Sequence, residues 1–381
     1  MTHHRRPRPQ DLLPATRPHA TGAAVRELVA GRHVLVTGAA GSLGRALARR
    51  LAALRPAALH LLDVDEGRLH AQQLELTGAG FTDASSVWLT DVRDARALDA
   101  AFAHAAPDLV LHAAALTHGA LLERFSAAGV MTNVWGTQNV VRAAHRHGVR
   151  RLVHVSGAAA AHPTSVLGAT QRLAELVVRG QDGLQAASVR VGAVLGGRGS
   201  FWDALVHQAA AGLPVTVGDP DAARRLVTPD EAAGLVLEAA ALIDRSGGTF
   251  VLDAGERVRV LDLVHRYAEL AGLPAPRVTA TGPTPGEEHH GAPVGPGERP
   301  RPTPVDRVLR CPPVTRPPGF DRVLARLYAA ADDADEPRVR RLLAEQHGGL
   351  AARADDDAAP DDHVPRSGPG PALRVLGPVP A

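Results

Sequence analysis

The stretch His33-Val-Leu-Val-Thr-Gly-Ala-Ala-Gly-Ser-Leu-Gly44 decides the fold. Its first five residues are mostly apolar and partly β-branched, which suits a core strand. Three glycines follow at three-residue intervals, and a helical pattern runs from Ser42 to Leu54. Gly38 permits a tight turn, Gly41 lets the backbone approach a pyrophosphate, and Gly44 lets the helix pack closely on the strand. Ala40, Ser42 and Leu43 belong to the same turn, where the helix N-terminus aims its N–H groups and positive dipole end at phosphates. A bare glycine pattern is weak. Here Asp63 ends the next apolar run about 20 residues beyond Gly44, where a carboxylate can bond the ribose hydroxyls of a dinucleotide. Its charge favours the free 2′-hydroxyl of NAD, with NADP the alternative cofactor. The competing reading of Asp63 is a cap on the helix that follows.

Outward from this stretch, strands and helices alternate. Strands are expected at 33–37, 59–63, 87–90, 109–112 and 151–156, with helices at 42–54, 66–76, 95–104 and 133–147 between them. That order predicts an α/β fold, a doubly wound parallel sheet covered on both faces. Asp91 and Val92 follow the third strand, and Ala113, Ala114 and Ala115 the fourth. Both sets sit at carboxyl ends of strands, where such sheets bind ligands. After about residue 185 the pattern changes to one more core strand (187–194), short strands that include 249–252, and mixed helices, a smaller C-terminal substrate lobe. Residues 281–304, rich in Pro and Gly, read as a loop, and 320–331 and 337–346 as a helical pair. We therefore divide the chain into a flexible N-terminal arm (1–22), a Rossmann domain (23–185), a mixed region with the last core strand, substrate lobe and C-terminal helices (186–348), and a disordered tail (349–381).

Composition excludes several classes. Lys and Arg total 42 against 40 Asp and Glu, a net charge of +2, and aromatic residues are 3%. Neither a basic nucleic-acid surface nor a base-stacking platform is expected. The single cysteine, Cys311, leaves no intramolecular disulfide and no multi-cysteine metal site. His289-His290 beside Glu287 and Glu288 read as a solvated loop, so no metal is expected. The N-terminal residues lack the apolar segment of a signal peptide, and no run of about 18 apolar residues exists. The expectation is a cytoplasmic protein without a membrane segment.

Seven motifs then follow in order: Thr37–Gly44, Leu62-Asp-Val-Asp-Glu66, Asp91-Val-Arg-Asp94, Ala113-Ala-Ala-Leu-Thr-His118, Thr132-Asn-Val-Trp-Gly-Thr137, the run His162 to Arg172, and Val194-Leu-Gly-Gly-Arg-Gly-Ser200. In order and spacing the chain resembles the CapD-like polysaccharide biosynthesis proteins from about residue 10 to 348. These are extended short-chain dehydrogenase/reductases typified by UDP-N-acetylglucosamine 4,6-dehydratases. The resemblance implies NAD as cofactor and a nucleotide sugar, a UDP-sugar, as substrate. It places Asn133 and Gln171 at the cofactor, Arg198 and Ser200 in a phosphate-binding stretch, and Arg224 near the sugar-nucleotide diphosphate.

The family's reaction moves several protons, and each transfer needs a titratable group within hydrogen-bond reach. The resemblance locates those groups at positions that are here Gly157, Ala158, Ala159, Leu167, Gln171 and Thr117. None of these titrates near neutrality, so the catalytic residues are left unassigned. Two readings stay open. In one, the chain is a nucleotide-sugar dehydratase or epimerase relative that performs a narrower redox or epimerisation step with a substitute base, His162 or His118. In the other, it is a non-catalytic module that holds NAD or a nucleotide sugar and pairs with an active homologue. A homo-oligomer is the remaining partner expectation. His154 also falls near the expected cleft, and Ser156 is well placed but lacks a base partner.

Overall fold

The computed structural model describes residues 7–13, 21–79, 84–179, 183–197, 200–282, 293–313 and 315–346. The tail at 349–381, Arg198 and the His289-His290 cluster lie outside them. Two helices, α1 (Pro9–Leu12) and α2 (Ala23–Val29), precede β1 (His33–Thr37) and α3 (Ser42–Ala53). Next come β2 (Ala58–Asp63), α4 (Glu66–Thr77), β3 (Val87–Leu89), α5 (Ala95–Ala105) and β4 (Leu109–His112). Short helices α6 (Gly119–Arg124) and α7 (Ser126–Gly129) lead through a π-helical stretch, Val130–Gly136, into α8 (Thr137–Arg146). Then follow β5 (Arg151–Gly157), a 3-10 turn at Ala158–Ala161, α9 (Val166–Val178) and β6 (Gln185–Val191). The remainder is β7 (Ala193–Val194), α10 (Phe201–Ala210), β8 (Val215–Val217), β9 (Ala223–Val227), α11 (Pro229–Ala241), β10 (Thr249–Leu252), β11 (Arg257–Arg259), α12 (Val260–Ala271), β12 (Val278–Ala280), β13 (Arg301–Pro302), β14 (Val308–Cys311), α13 (Phe320–Asp332) and α14 (Glu336–Gln346).

The main sheet runs β3-β2-β1-β4-β5-β6-β10-β14-β13. It is parallel from β3 to β10, and β14 runs antiparallel to both of its neighbours, β10 and β13. This is the expected doubly wound sheet. Its order reverses between β1 and β4, which opens a crevice at their carboxyl ends. Helix starts are set locally. Asp65 caps α4 through Arg68 N (3.0 Å), Asp94 caps α5 through Arg96 and Ala97, and Ser165 caps α9 through Gly168 N (3.0 Å). Thr228 caps α11, with Pro229 opening the helix.

Apolar side chains fill both faces of the sheet, and the lobe has a core of its own. Within the segment read as an arm, α1 docks on that lobe core through Leu12 and Leu13. The run expected as one strand at 187–194 divides at Gly192. There β6 stays in the main sheet, while β7 crosses to pair with β9. A Cβ on Gly192 would come 3.0 Å from Ala254 Cβ, so the crossing point has little room. The helix expected at 133–147 is α only from Thr137. The wider turn before it is where Asn133 and Trp135 reach out of the helix, to Leu116 and to the Arg93 carbonyl.

The hairpin of α13 and α14 covers the α7–α9 side of the sheet with Phe320, Leu324, Leu327, Val339 and Leu343. It also completes other helices. Glu336 Oε2 accepts from the Ser126 hydroxyl (2.5 Å) and Ala127 N (3.0 Å) at the start of α7. Arg316, just before α13, donates to the Leu176 and Val177 carbonyls at the end of α9 (2.7 Å each).

Two histidines lie inside the sheet, opposite each other on β4 and β5 with ring centroids 5.6 Å apart. The Thr137 hydroxyl donates to the Asn133 carbonyl (2.6 Å). His112 Nε2 therefore donates to Thr137 Oγ1 (3.0 Å), and Nδ1 accepts from the Thr37 hydroxyl (2.7 Å). His154 does not reach the cleft; its Nδ1 pairs with Ser188 Oγ (3.0 Å). Burial pushes His154 down to about 4, and burial together with His154 holds His112 well below its ordinary value.

Both rings are neutral when folded, whereas the unfolded chain protonates them near pH 6.5. The unfolded state thus binds more protons in acid. Stability is full above pH 6.5 and is lost as pH falls toward 4, by about 3 kcal/mol for His154 alone. Melting temperatures measured from pH 7 to 4 should show this acid limb, and His154→Gln should make it shallower, leaving the part that comes from His112. An equally steep limb in the variant would show that His154 is not its source.

Candidate functional site

The glycine turn joins β1 to α3 at the crevice. Gly38 has φ +67°. A Cβ there would lie 2.5 Å from Ala114 N and 2.6 Å from the Ala113 carbonyl oxygen. A Cβ on Gly44 would overlap the Gly38 carbonyl oxygen. Gly41 N donates to that same oxygen (3.1 Å). Only glycine backbones let turn, helix and the Ala113–Ala115 loop come this close. Ala40 is linked to β2, because its N–H donates to Asp63 Oδ2 (2.9 Å). Asp63 Oδ1 accepts from Val64 N (2.8 Å) and Asp65 N (3.1 Å). Asp65 is the helix cap, so the capping explanation of Asp63 falls away. Asp63 is instead a half-buried carboxylate fixed beside the turn. Ser42 and Leu43 open α3.

Beyond β3, Asp91 accepts from Arg93 through Nη2 (2.5 Å) and the backbone N (2.8 Å). Burial pushes the Asp91 carboxyl up, but the bonds from Arg93 outweigh this and hold it below its usual range. Val92 is buried against Gly136, where a Cβ would lie 2.7 Å from Val92 Cγ2. A cavity of about 440 Å³ opens here between Asp91, Asp94, Met131 and the end of α13 at Asp332.

The loop after β4 is held by Asn133. Its Oδ1 accepts from Leu116 N (2.8 Å), and Nδ2 donates to Leu116 O (3.0 Å) and Thr170 Oγ1 (3.1 Å). Asn133 thereby positions Ala113–Ala115. Gln171 lies over the end of β5, where a Cβ on Gly157 would fall 2.7 Å from its Oε1 and 2.9 Å from its Nε2. Gln171 is 9% exposed, and its Oε1 is buried with no hydrogen-bond partner among the described residues. The carboxamide fills the space that a side chain at 157 would need.

Groups read as substitutes are otherwise engaged. The Ser156 hydroxyl donates to Glu175 Oε1 (2.9 Å). His118 Nδ1 accepts from Leu121 N at the start of α6 (3.4 Å), and His162 Nε2 donates to the Val294 carbonyl (2.9 Å). Ser200 is the N-cap of α10, accepting from Trp202 N (3.3 Å). Arg224 is half-buried on β9 opposite Val258. Among the described residues no group of three or more His, Cys, Asp or Glu could hold a metal ion, and no helix is long and apolar enough to cross a membrane.

Beneath the site is a buried charge cluster that the sequence reading missed. Arg190, on β6 beside Ser156, is fully buried. Its Nε and Nη2 donate to Glu175 (2.7 and 2.8 Å), and its Nη1 and Nη2 donate to Glu298 (2.5 and 2.9 Å). Nη1 also donates to the Pro293 carbonyl (3.0 Å). Arg172 Nη1 bonds both carboxylates, and Gly295 N donates to Glu298 Oε2 (2.8 Å). Burial pushes the Glu298 carboxyl up, yet the Arg190 and Gly295 bonds bring it down to about 2. Two cations and two anions thus balance. The available signal was an arginine inside the apolar strand run Ala186–Val191, because a charge there is rarely buried unpaired.

Against known proteins, residues 34–312 match the family model described as "Polysaccharide biosynthesis protein". The chain is 36% identical over 266 residues to "Probable polysaccharide biosynthesis protein EpsC" of Bacillus subtilis (strain 168), covering 68% of this chain. That stretch is 44% of EpsC, so the chain spans less than half the length of that relative. Among solved structures it is similar to Pen from Bacillus thuringiensis (TM-score 0.68, 25% identity, 76% of this chain and 89% of that one). It is also similar to the UDP-glucose 4-epimerase of Thermus thermophilus in complex with NAD (TM-score 0.59, 26% identity, 69% and 90%).

Removing Glu298 leaves the guanidinium groups of Arg190 and Arg172 sharing the single carboxylate of Glu175, with N–H donors of Arg190 unmet. Glu298→Ala should cost about 3–5 kcal/mol in denaturant unfolding. Replacing Arg190 and Glu298 together by Met should cost less than the two single changes summed. Additive losses would show that the pair is not coupled.

Proposed function

The chain belongs to the polysaccharide biosynthesis protein family, and from that membership we propose that it binds NAD and a nucleotide sugar in a crevice whose proton-transfer groups have been replaced. The residues present fit a dinucleotide. Gly38 and Gly44 let the turn pack on the Ala113–Ala114 backbone and on α3, a Cβ on Gly41 would meet only the Gly38 carbonyl oxygen at 3.2 Å, and Asp63 fixes a carboxylate beside the turn. On this reading the turn Gly38, Ala40, Gly41, Ser42, Leu43 and Gly44 lies against the pyrophosphate, with Ser42 and Leu43 at the N-terminus of α3 presenting it the helix dipole, and Asp63 holds a ribose diol. Asp91, Val92 and Ala113–Ala115 border the bases, Asn133 sets the loop, and Gln171 offers a carboxamide to the ligand. The family resemblance assigns Arg198, Ser200 and Arg224 to the sugar nucleotide. When bound, NAD supplies a hydride acceptor. The Thermus relative, solved with NAD, supports this assignment.

The Gly157–Gln171 contact carries the rest of the reading. A dehydratase needs groups that take protons from a hydroxyl and from the carbon beside the new ketone, and a group that protonates the departing hydroxyl. Positions 157, 158, 159, 167 and 171 offer glycine, alanines, leucine and an amide. The engagement of Ser156 with Glu175 and of His162 Nε2 with the Val294 carbonyl favours the non-catalytic version, a module that holds ligand and pairs with an active homologue.

Thermal shift and product analysis test this together. NAD should raise the melting temperature, and NAD with UDP-N-acetylglucosamine should yield no 4-keto-6-deoxy sugar. Asp63→Asn should weaken NAD about tenfold, the loss of one charge-assisted hydrogen bond. Product at ordinary enzymatic rates, or no shift with any dinucleotide, would defeat the proposal.

A further inference from the structure

Residues 7–13 contribute no strand to the sheet and no residue to the crevice, yet they are built into the lobe. Leu12 is 1% exposed and sits with Leu13 among Leu195, Trp202, Val264 and Tyr267. The Pro9 ring lies on Gly196, whose φ is +93° and where a Cβ would fall 2.5 Å from Pro9 Cγ. Arg266 Nε, on α12, donates to the Asp11 carbonyl (3.1 Å), and Arg8 N donates to Asp11 Oδ2 (2.8 Å), which closes the turn. The loop under this strap begins at Leu195, whose N–H donates to Val227 O on β9 (2.8 Å). Leu195–Gly197 follows β6 and β7 at the carboxyl edge of the sheet and precedes Ser200, the cap of α10. It is therefore gripped by β9 on one side and by a segment about 180 residues upstream on the other.

We propose that residues 7–13 are a clamp that positions Leu195–Gly197 and the start of α10 for the nucleotide sugar, leaving the dinucleotide half of the crevice untouched. The ligand part rests on the nucleotide-sugar reading above; the clamp itself rests on the packing. Pro9, Leu12 and Leu13 are positioning residues, because they act through the loop. The asymmetry follows from the attachment. The strap's apolar contacts lie in the lobe core, whereas the glycine turn and Asp63 belong to the other end of the sheet.

The test uses the full chain with Leu12→Ala/Leu13→Ala and, separately, Pro9→Ala. Hydrogen exchange should accelerate at least tenfold at Leu195–Gly197 and in α10 of the double variant while β1 to β5 keep their protection. UDP-N-acetylglucosamine should bind about tenfold more weakly and NAD within about twofold of the unaltered protein. Pro9→Ala should move both readouts in the same direction by less; it decides the matter if the double variant unfolds the whole lobe, visible as lost protection throughout α12. Unchanged exchange at Leu195–Gly197 overturns the clamp. So does equal weakening of both ligands. If the unaltered protein binds no UDP-N-acetylglucosamine, the nucleotide-sugar reading fails, and the exchange measurement still decides whether the strap holds the loop.

Discussion

Five N–H groups on one guanidinium, sealed from water in the middle of a sheet, impose a demand that two separate parts of the chain meet, α9 through Glu175 and the segment Pro293–Glu298. Arg190 stands on β6 next to Ser156; Glu175 and Arg172 come from α9, and Glu298 arrives from the segment before β13 with the Pro293 carbonyl. Leaving any of these donors unmet in a low-dielectric interior would be costly. The cluster therefore fixes where α9 lies on the sheet and where Pro293–Glu298 returns to it. Those placements shape the floor of the crevice. A Cβ on Gly295 would lie 2.6 Å from the Ala161 carbonyl oxygen, so the returning segment presses directly on the turn that follows Gly157.

That floor explains the state of the site better than the missing side chains alone do. With no side chain at 157, the Gln171 carboxamide settles over the backbone. With Glu175 committed to Arg190, the Ser156 hydroxyl turns down into the interior rather than up toward a ligand. At 156 and 157 the side-chain positions are taken up by packing and internal hydrogen bonds, while at the glycine turn the backbone approaches are close enough that only glycine fits.

The nucleotide half of the molecule is legible in the sequence because its determinants are local. A strand of five residues, three glycines and a carboxylate at fixed spacing report themselves through period and backbone sterics, and the strands at 33–37, 109–112 and 249–252 fall where the pattern puts them. What escapes is long-range. Nothing near Arg190 in sequence announces Glu298, and nothing near Asn133 announces that its carboxamide clamps Leu116. The break at Gly192 is hidden because both halves of the run are apolar and differ only in which strand they pair with. The strap at Pro9–Leu12 is hidden because its proline- and arginine-rich flanks outweigh two leucines.

The hairpin of α13 and α14 has a consequence for assembly. Its apolar stripe occupies the outer surface of the α7–α9 layer, and Glu336 and Arg316 cap that layer's helix ends. A second polypeptide could settle on that surface only by peeling the hairpin away, which would uncover oily side chains on both halves and strip two helices of their caps. The protein carries its own tenant there, so a companion chain on this side would meet the outer face of the hairpin and not the α7–α9 layer.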